Sequence, residues 1–169
     1  MIESGTKSDI TVINNGVEDS RYFETDVPQE ILTKYNFDNT KLNILNIGRL
    51  TERKGYDYTI EAIADLPNVV YHIGGTGSIE KNLRAIAEKV GVTDRVHFHG
   101  FIPDDEINYL FNASDLFIMP SRKVGRSVEG FGITYLEAAA SGIPSIASFN
   151  TGAEDAIENN KSGILVDGD

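Results

Sequence analysis

The chain is 169 residues long, the size of one ordinary domain, and 40% of its residues are apolar, 9% aromatic and 24% charged; that composition excludes disordered, collagenous and low-complexity classes. Fifteen Lys and Arg stand against 26 Asp and Glu, a formal net charge of −11, which sets the surface against nucleic acid and anionic lipid but leaves room for one small basic pocket around a phosphorylated ligand. There is no cysteine, hence no disulfide framework, no thiolate zinc site and no cysteine nucleophile, a usage that suits a reducing compartment. No apolar run approaches the roughly 18 residues of a bilayer span, and Met1-Ile2-Glu3-Ser4-Gly5-Thr6 lacks the basic and apolar regions of a signal peptide. The expectation is a cytoplasmic protein with no direct membrane span and no nucleic-acid partner.

Residues 1–40 hold one apolar stretch, Ile10-Thr11-Val12-Ile13, expected as a strand, then a turn at Asn15-Gly16 and a polar remainder with Phe23 and Phe37. They read as an approach segment, with the domain proper over residues 41–169. There, Leu42-Asn43-Ile44-Leu45-Asn46-Ile47 is a strand ending at Gly48, and Ile60, Ile63 and Ala64 mark a short amphipathic helix closed before Pro67. Val69-Val70-Tyr71-His72-Ile73 is a second strand entering the glycine turn Gly74-Gly75-Thr76-Gly77. Ile79, Leu83, Ile86, Ala87 and Val90 then line one helical face, with Gly91 as its stop. Arg95-Val96-His97-Phe98-His99 is a strand, Asp104 is the expected cap of a helix carrying Ile107, Leu110 and Phe111, and Leu116-Phe117-Ile118-Met119 is a buried strand stopped by Pro120. A polar loop leads to a helix over Thr134–Ser141, the strand Ser145-Ile146-Ala147-Ser148, a short helix near Ala153–Ile157 and the strand Gly163-Ile164-Leu165-Val166. Strands alternating with helices at this spacing require parallel pairing through right-handed crossovers, so the fold class is α/β, a doubly wound parallel sheet of about six strands. The chain stops three residues after the last strand with no closing helix, and both ends read as cut from something larger.

In such a sheet, ligands bind beyond the carboxyl ends of the strands. Gly48-Arg49-Leu50-Thr51-Glu52-Arg53-Lys54-Gly55 puts cations where the first strand hands over to its helix; they suit a diphosphate, or they are ordinary solvated charges. It is not a P-loop, because Arg53 stands where the second Walker glycine belongs and no Ser or Thr follows Lys54. Gly74-Gly75-Thr76-Gly77-Ser78 either admits a ligand to the backbone or is a tight structural turn. It lacks the third glycine of a dinucleotide fingerprint and follows the second strand, which disfavours a nicotinamide dehydrogenase. His99-Gly100-Phe101-Ile102-Pro103 offers main-chain groups to a planar base, while His72, His97 and His99 do not form a metal set. The most informative stretch is Ser127 to Pro144, where Glu129 lies in a loop and Glu137 eight residues on, one turn into a helix. Gly130 and Gly132 leave backbone N–H groups uncovered at that helix start, an anion cradle with a carboxylate on either side. A nucleoside diphosphate sugar, charged in the middle with hydroxyls at both ends, matches it.

Together these segments resemble the C-terminal, donor-binding half of a GT-B glycosyltransferase of the large retaining family 4. The likeness rests on Gly48-Arg49-Leu50…Lys54-Gly55, Gly75-x-Gly77 before a helix, Phe98-x-Gly100, Ala113-Ser114-Asp115 with Pro120-Ser121, and Glu129-Gly130-Phe131-Gly132…Glu137-Ala138 as the Glu-x7-Glu motif. Gly142-Ile143-Pro144 and Gly152 to Glu154 continue it, and Ile13-Asn14-Asn15-Gly16-Val17 is similar to the interdomain crossing, with Asn14 in place of the usual proline. The resemblance implies catalytic roles for Arg49 and Lys54, which would neutralise the departing diphosphate, and for Glu129, which would face hydroxyls of the transferred sugar. Gly48, Gly75 and Gly77, the amides near Phe131, Gly132, Ile133 and Thr134, the carboxylate of Glu137 at the ribose, and the main chain of Phe101 and Ile102 at the base would complete donor binding. It implies a UDP- or GDP-sugar donor, a hexosyl group passed to a glycan, lipid or small-molecule acceptor, and no cofactor or metal. The resemblance implies an acceptor-binding N-terminal domain that these residues are expected to lack, so the 169 residues alone are expected to bind donor without transferring sugar. A sugar-nucleotide epimerase half and a stand-alone nucleotide-sugar-binding module are the competing readings.

Overall fold

The computed structural model of the chain describes residues 11 and 13–167. Strands β1 (Leu42–Ile47), β2 (Val69–Gly74), β3 (Val96–Gly100), β4 (Leu116–Met119), β5 (Ser145–Ser148) and β6 (Gly163–Val166) form one sheet in the order β3-β2-β1-β4-β5-β6. Every pairing is parallel. The chain winds outward from β1 to β3, returns past β1, and winds outward again to β6, so the order reverses between β1 and β4. That reversal opens a crevice at the carboxyl ends of the strands.

Helices α1 (Gln29–Lys34), α2 (Tyr56–Ala62), α3 (Glu80–Val90), α4 (Asp104–Asn112) and α5 (Ile133–Ala140) cover the two faces. Successive strand residues point to opposite faces, and the core divides accordingly. Ile44, Tyr71 and Ile73 pack with Tyr56 and Ile60 of α2 and Leu83 and Ala87 of α3. Leu45, Phe117, Met119, Ala147 and Leu165 pack on the other side with Leu110 and Phe111 of α4 and Tyr135 and Ala138 of α5. Helix α3 follows the periodic pattern and ends at Gly91, whose φ of 76° fits a left-handed stop. Among the described residues no helix is long and apolar enough to cross a membrane.

Several local expectations are corrected. Ile10 and Val12 of the first expected strand lie outside the described residues, and Thr11 and Ile13 are irregular. The early turn falls at residues 19–21, where Arg21 N–H bonds the Glu18 carbonyl at 3.1 Å, and not at Asn15-Gly16. Asp104 is the first residue of α4, and Pro103 occupies the cap position without any side-chain cap. Proline presets the entry dihedral, and Asp104, Asp105 and Glu106 complement the helix dipole from within the first turn. The helix expected near Ala153–Ile157 is a single 3-10 turn, Gly152–Asp155, capped by Thr151 Oγ1 accepting from Ala153 N–H.

Helix α1 had no signal in the periodicity, because six residues give too little pattern. Its Ile31, together with Tyr22 before the helix and Tyr35 at its end, is buried in the same core as α4 and α5. Phe23 and Thr25 are held by side-chain amides that stand in for a strand neighbour. Asn108 Oδ1 accepts from Phe23 N–H at 3.2 Å, and Asn112 Oδ1 accepts from Thr25 N–H at 2.9 Å. Just beyond α1, Phe37 stacks on His72 at 4.0 Å, and Tyr35 meets His99 edge-on at 5.1 Å.

Candidate functional site

The loop after β1 is built on backbone-to-backbone contact. Gly48 N–H bonds Gly74 O at 2.9 Å and Leu50 N–H bonds Thr76 O at 3.0 Å, extending the β1–β2 pairing past both strands. A Cβ at Gly75 would lie 2.1 Å from Gly48 O, and one at Gly77 would lie 2.2 Å from Leu50 O. Both glycines therefore have a packing reason, which is the structural-turn alternative left open by the sequence. Gly48 in turn leaves a slot for Lys54, whose Cε and Nζ are 3.0 Å from where a Cβ would stand.

Lys54 closes the 3-10 turn Glu52–Lys54 and is buried. Its Nζ lies 2.9 Å from Met119 Sδ and 3.5 Å from Glu129 Oε2. Burial pulls its pKa down, and the Glu129 carboxylate opposes that loss of charge. Arg49 is exposed on the wall of a cavity of about 660 Å³ that Lys54, Ser78, Ile79, Val124 and Ser127 also line. Glu129 is 9% exposed, and its loop is pinned from below, since Gly152 N–H bonds Glu129 O at 2.9 Å and a Cβ at Gly152 would stand 1.9 Å from Gly130 O. The structure thus brings Gly48, Lys54 and Glu129 into one constellation at the crevice.

Phe131 and Gly132 lead into α5, with Gly132 at its cap in the left-handed region at φ 77°. A side chain there would strike the Tyr135 ring at 2.4 Å. The first N–H groups of α5, on Ile133 and Thr134, have no acceptor within the helix and are available to an anion. Glu137 is half-buried one turn on. Burial raises its pKa, while the Tyr22 hydroxyl, Arg21 and Lys54 pull it back. Tyr22 is itself pushed up to about 12 by burial and by that carboxylate. Phe101 and Ile102 follow β3, two strands from β1. Phe101 is 77% exposed and Ile102 is buried against Gly74, so Ile102 offers a ligand only its main chain.

Sequence reasoning missed Arg53, whose Nη1 lies 2.5 Å from Glu129 Oε2 across 76 residues of sequence. It also missed Arg122, whose guanidinium grips Asp57 through two 2.8 Å bonds and lies over the Tyr58 ring. Nothing in local pattern marks either pair; only opposite charge near the carboxyl edge of the sheet pointed toward them.

Residues 28–169 match the model of the family glycosyl transferases group 1. The chain is 32% identical, over 97% of its length and 44% of the relative's, to a GDP-mannose-dependent alpha-(1-6)-phosphatidylinositol monomannoside mannosyltransferase of Mycobacterium tuberculosis. It is 30% identical to the mannosylfructose-phosphate synthase of Agrobacterium fabrum, over 94% of this chain and 36% of that one. Among solved structures it resembles Anabaena Alr3699/HepE in complex with UDP-glucose, with TM-score 0.83, 27% identity and coverage of 98% of this chain and 46% of that one. It also resembles the C-terminal domain of the group 1 protein LpcC of Francisella tularensis, with TM-score 0.75, 27% identity and coverage of 90% and 80%. The chain spans less than half the length of the two sequence relatives named here.

Proposed function

The chain belongs to the group 1 glycosyltransferases, and from that premise we propose that these residues are the donor-binding half of a retaining hexosyltransferase that takes a UDP- or GDP-sugar. The observation that carries the reading is the meeting of Lys54 and Glu129 at 3.5 Å in the crevice beside β1. A cation for the diphosphate and a carboxylate for the sugar there sit side by side, just ahead of the helix start that offers N–H groups to phosphate. Arg49 and Lys54 hold the diphosphate and neutralise the charge it gains as the bond to the sugar breaks. Amides at Phe131 to Thr134 bind phosphate and sugar, Glu137 takes the ribose hydroxyls, and the main chain at Phe101 and Ile102 meets the base. Glu129 faces the hexosyl hydroxyls. These cations take the place of a metal, so no cofactor is required.

An acceptor-binding domain opposite this one positions the glycan, lipid or small-molecule acceptor and excludes water; without it, the 169 residues bind donor and transfer nothing. A chain with no cysteine suits the reducing cytoplasm, the compartment proposed for it. The test is calorimetric titration of the chain with UDP and with GDP. The better ligand should lose at least about a hundredfold in affinity in Arg49→Ala/Lys54→Ala, since charge-assisted hydrogen bonds to phosphate are the strong ones. Unchanged affinity would move the phosphate site elsewhere.

A further inference from the structure

Glu129 is held by one oxygen. Oε2 takes the Arg53 guanidinium at 2.5 Å and the Lys54 ammonium at 3.5 Å, and among the described residues no hydrogen bond engages Oε1. Arg53 is fixed at its other end, because its carbonyl accepts from Arg122 N–H at 2.7 Å. Arg122 is in turn clamped to Asp57 at the start of α2. The Glu129 backbone is anchored separately by Gly152 N–H. A carboxylate fixed at its backbone and at one oxygen has little rotational freedom left, and its second oxygen is presented in one direction.

We infer that Arg53 is a positioning residue: it holds Glu129 by Oε2 so that Oε1 is aimed at a hydroxyl of the sugar carried by the donor. The inference rests on the donor-binding reading above. Arg53 is suited to this because a guanidinium stays charged at any working pH and has a rigid, planar set of donors, whereas a lysine in its place keeps the charge but not the geometry. Lys54, the other cation on Oε2, is the one directed to the diphosphate. When the ligand draws Lys54 toward phosphate, Arg53 remains to keep the carboxylate in place.

The experiment measures, by calorimetry on the full 169-residue chain, the affinity gain from the sugar: UDP-glucose over UDP, and GDP-mannose over GDP. In Arg53→Gln that gain should fall about tenfold, the worth of one hydrogen bond to a charged group, and Arg53→Lys should restore part of it. In a double-mutant cycle, Arg53→Gln should cost nothing more once Glu129→Gln is present, because Arg53 acts only through that carboxylate. Equal losses for the nucleotide and its sugar ester would make Arg53 a phosphate ligand and overturn the inference, as would full additivity in the cycle or an undiminished gain. A merely destabilised fold would weaken all four ligands alike and show in the urea midpoint, and that result too would count against it. If the unaltered chain binds neither nucleotide, the donor reading itself falls; if it binds with a sugar gain that Arg53→Gln leaves intact, only the role of Arg53 falls.

Discussion

Lowering the pH from 7.5 to 5 should cost the fold about 4 kcal/mol through two imidazoles packed against Tyr35 and Phe37. His72 is fully buried, with its Nε2 3.1 Å from Asn43 Oδ1 and its Nδ1 3.0 Å from His99 Nε2. Asn43 donates its Nδ2 to Asp38 O and Lys41 O, so its Oδ1 can only accept, and the proton of His72 sits on Nε2. His72 Nδ1 then accepts from His99 Nε2–H; a second proton on His72 forces His99 into its other tautomer, and protonating both rings sets two donors against each other. Burial first, then the neighbouring His99 and His97, lower the His72 pKa to about 3; burial and His97 lower that of His99 to about 4. His97 is lowered by burial as well, with Asp94 and Lys41 acting on it in opposite directions. The other charges on this side, Glu106 and Lys34, are engaged with each other and with Tyr35.

A histidine depressed in the fold is protonated first in the unfolded chain, so stability is complete above the unfolded pKa of about 6.5 and drains away as pH falls toward the folded value. At pH 5 each of the two contributes a loss of about 2 kcal/mol, out of a total stability on the order of 5–15 kcal/mol. With a urea slope of about 2 kcal/mol per molar, the unfolding midpoint followed by circular dichroism should drop by about 2 M. His99→Gln keeps a donor toward His72 Nδ1 without titrating, and should remove about half of the drop. Glu137, raised by burial, works in the opposite direction as pH falls and offsets part of the drop in both proteins, so the decisive quantity is the difference between the two drops, about 1 M. The same drop in His99→Gln as in the unaltered chain would refute the reasoning.

The two glutamates should separate by ligand. Glu137→Gln should weaken UDP or GDP and the matching sugar nucleotide alike, by about tenfold, whereas Glu129→Gln should lower only the gain from the sugar; calorimetry on the four ligands decides it. Gly55→Ala places a Cβ 2.1 Å from Pro120 O at a φ of 68°, so clash and strain together should cost at least about 3 kcal/mol in urea unfolding. Gly91→Ala, at φ 76° with nothing within 4 Å, should cost only the strain of about 1–2 kcal/mol. Joined to an acceptor-binding domain of the same family, the chain should transfer hexose with retention, read by proton NMR of the product's anomeric centre, while alone it should give none.

What the residues by themselves determined is what local pattern can carry. Parallel strands covered on both faces read as short apolar runs, so all six were legible, and glycines punctuated them where the chain turns at the sheet edge. The chemistry of the loops was legible for the same reason: a cation cluster, a helix start and two carboxylates eight residues apart are local facts. Helix α1 was not, because six residues owe their helix to Ile31 and Tyr35 docking on a core assembled from residues up to 134 positions away. The reasons for Gly75, Gly77 and Gly152 lie in the carbonyls of other loops that press against them. Arg53 looked like a failed phosphate loop until the reversal of strand order between β1 and β4 brought it against Glu129. The three histidines, on the neighbouring strands β2 and β3 with His72 paired to His97 in register, are covered only when Tyr35 and Phe37, just beyond α1, pack on His99 and His72. Pairings at such separations are set by which loops the winding of the sheet places on one edge, and periodicity within a window of a dozen residues contains no record of that.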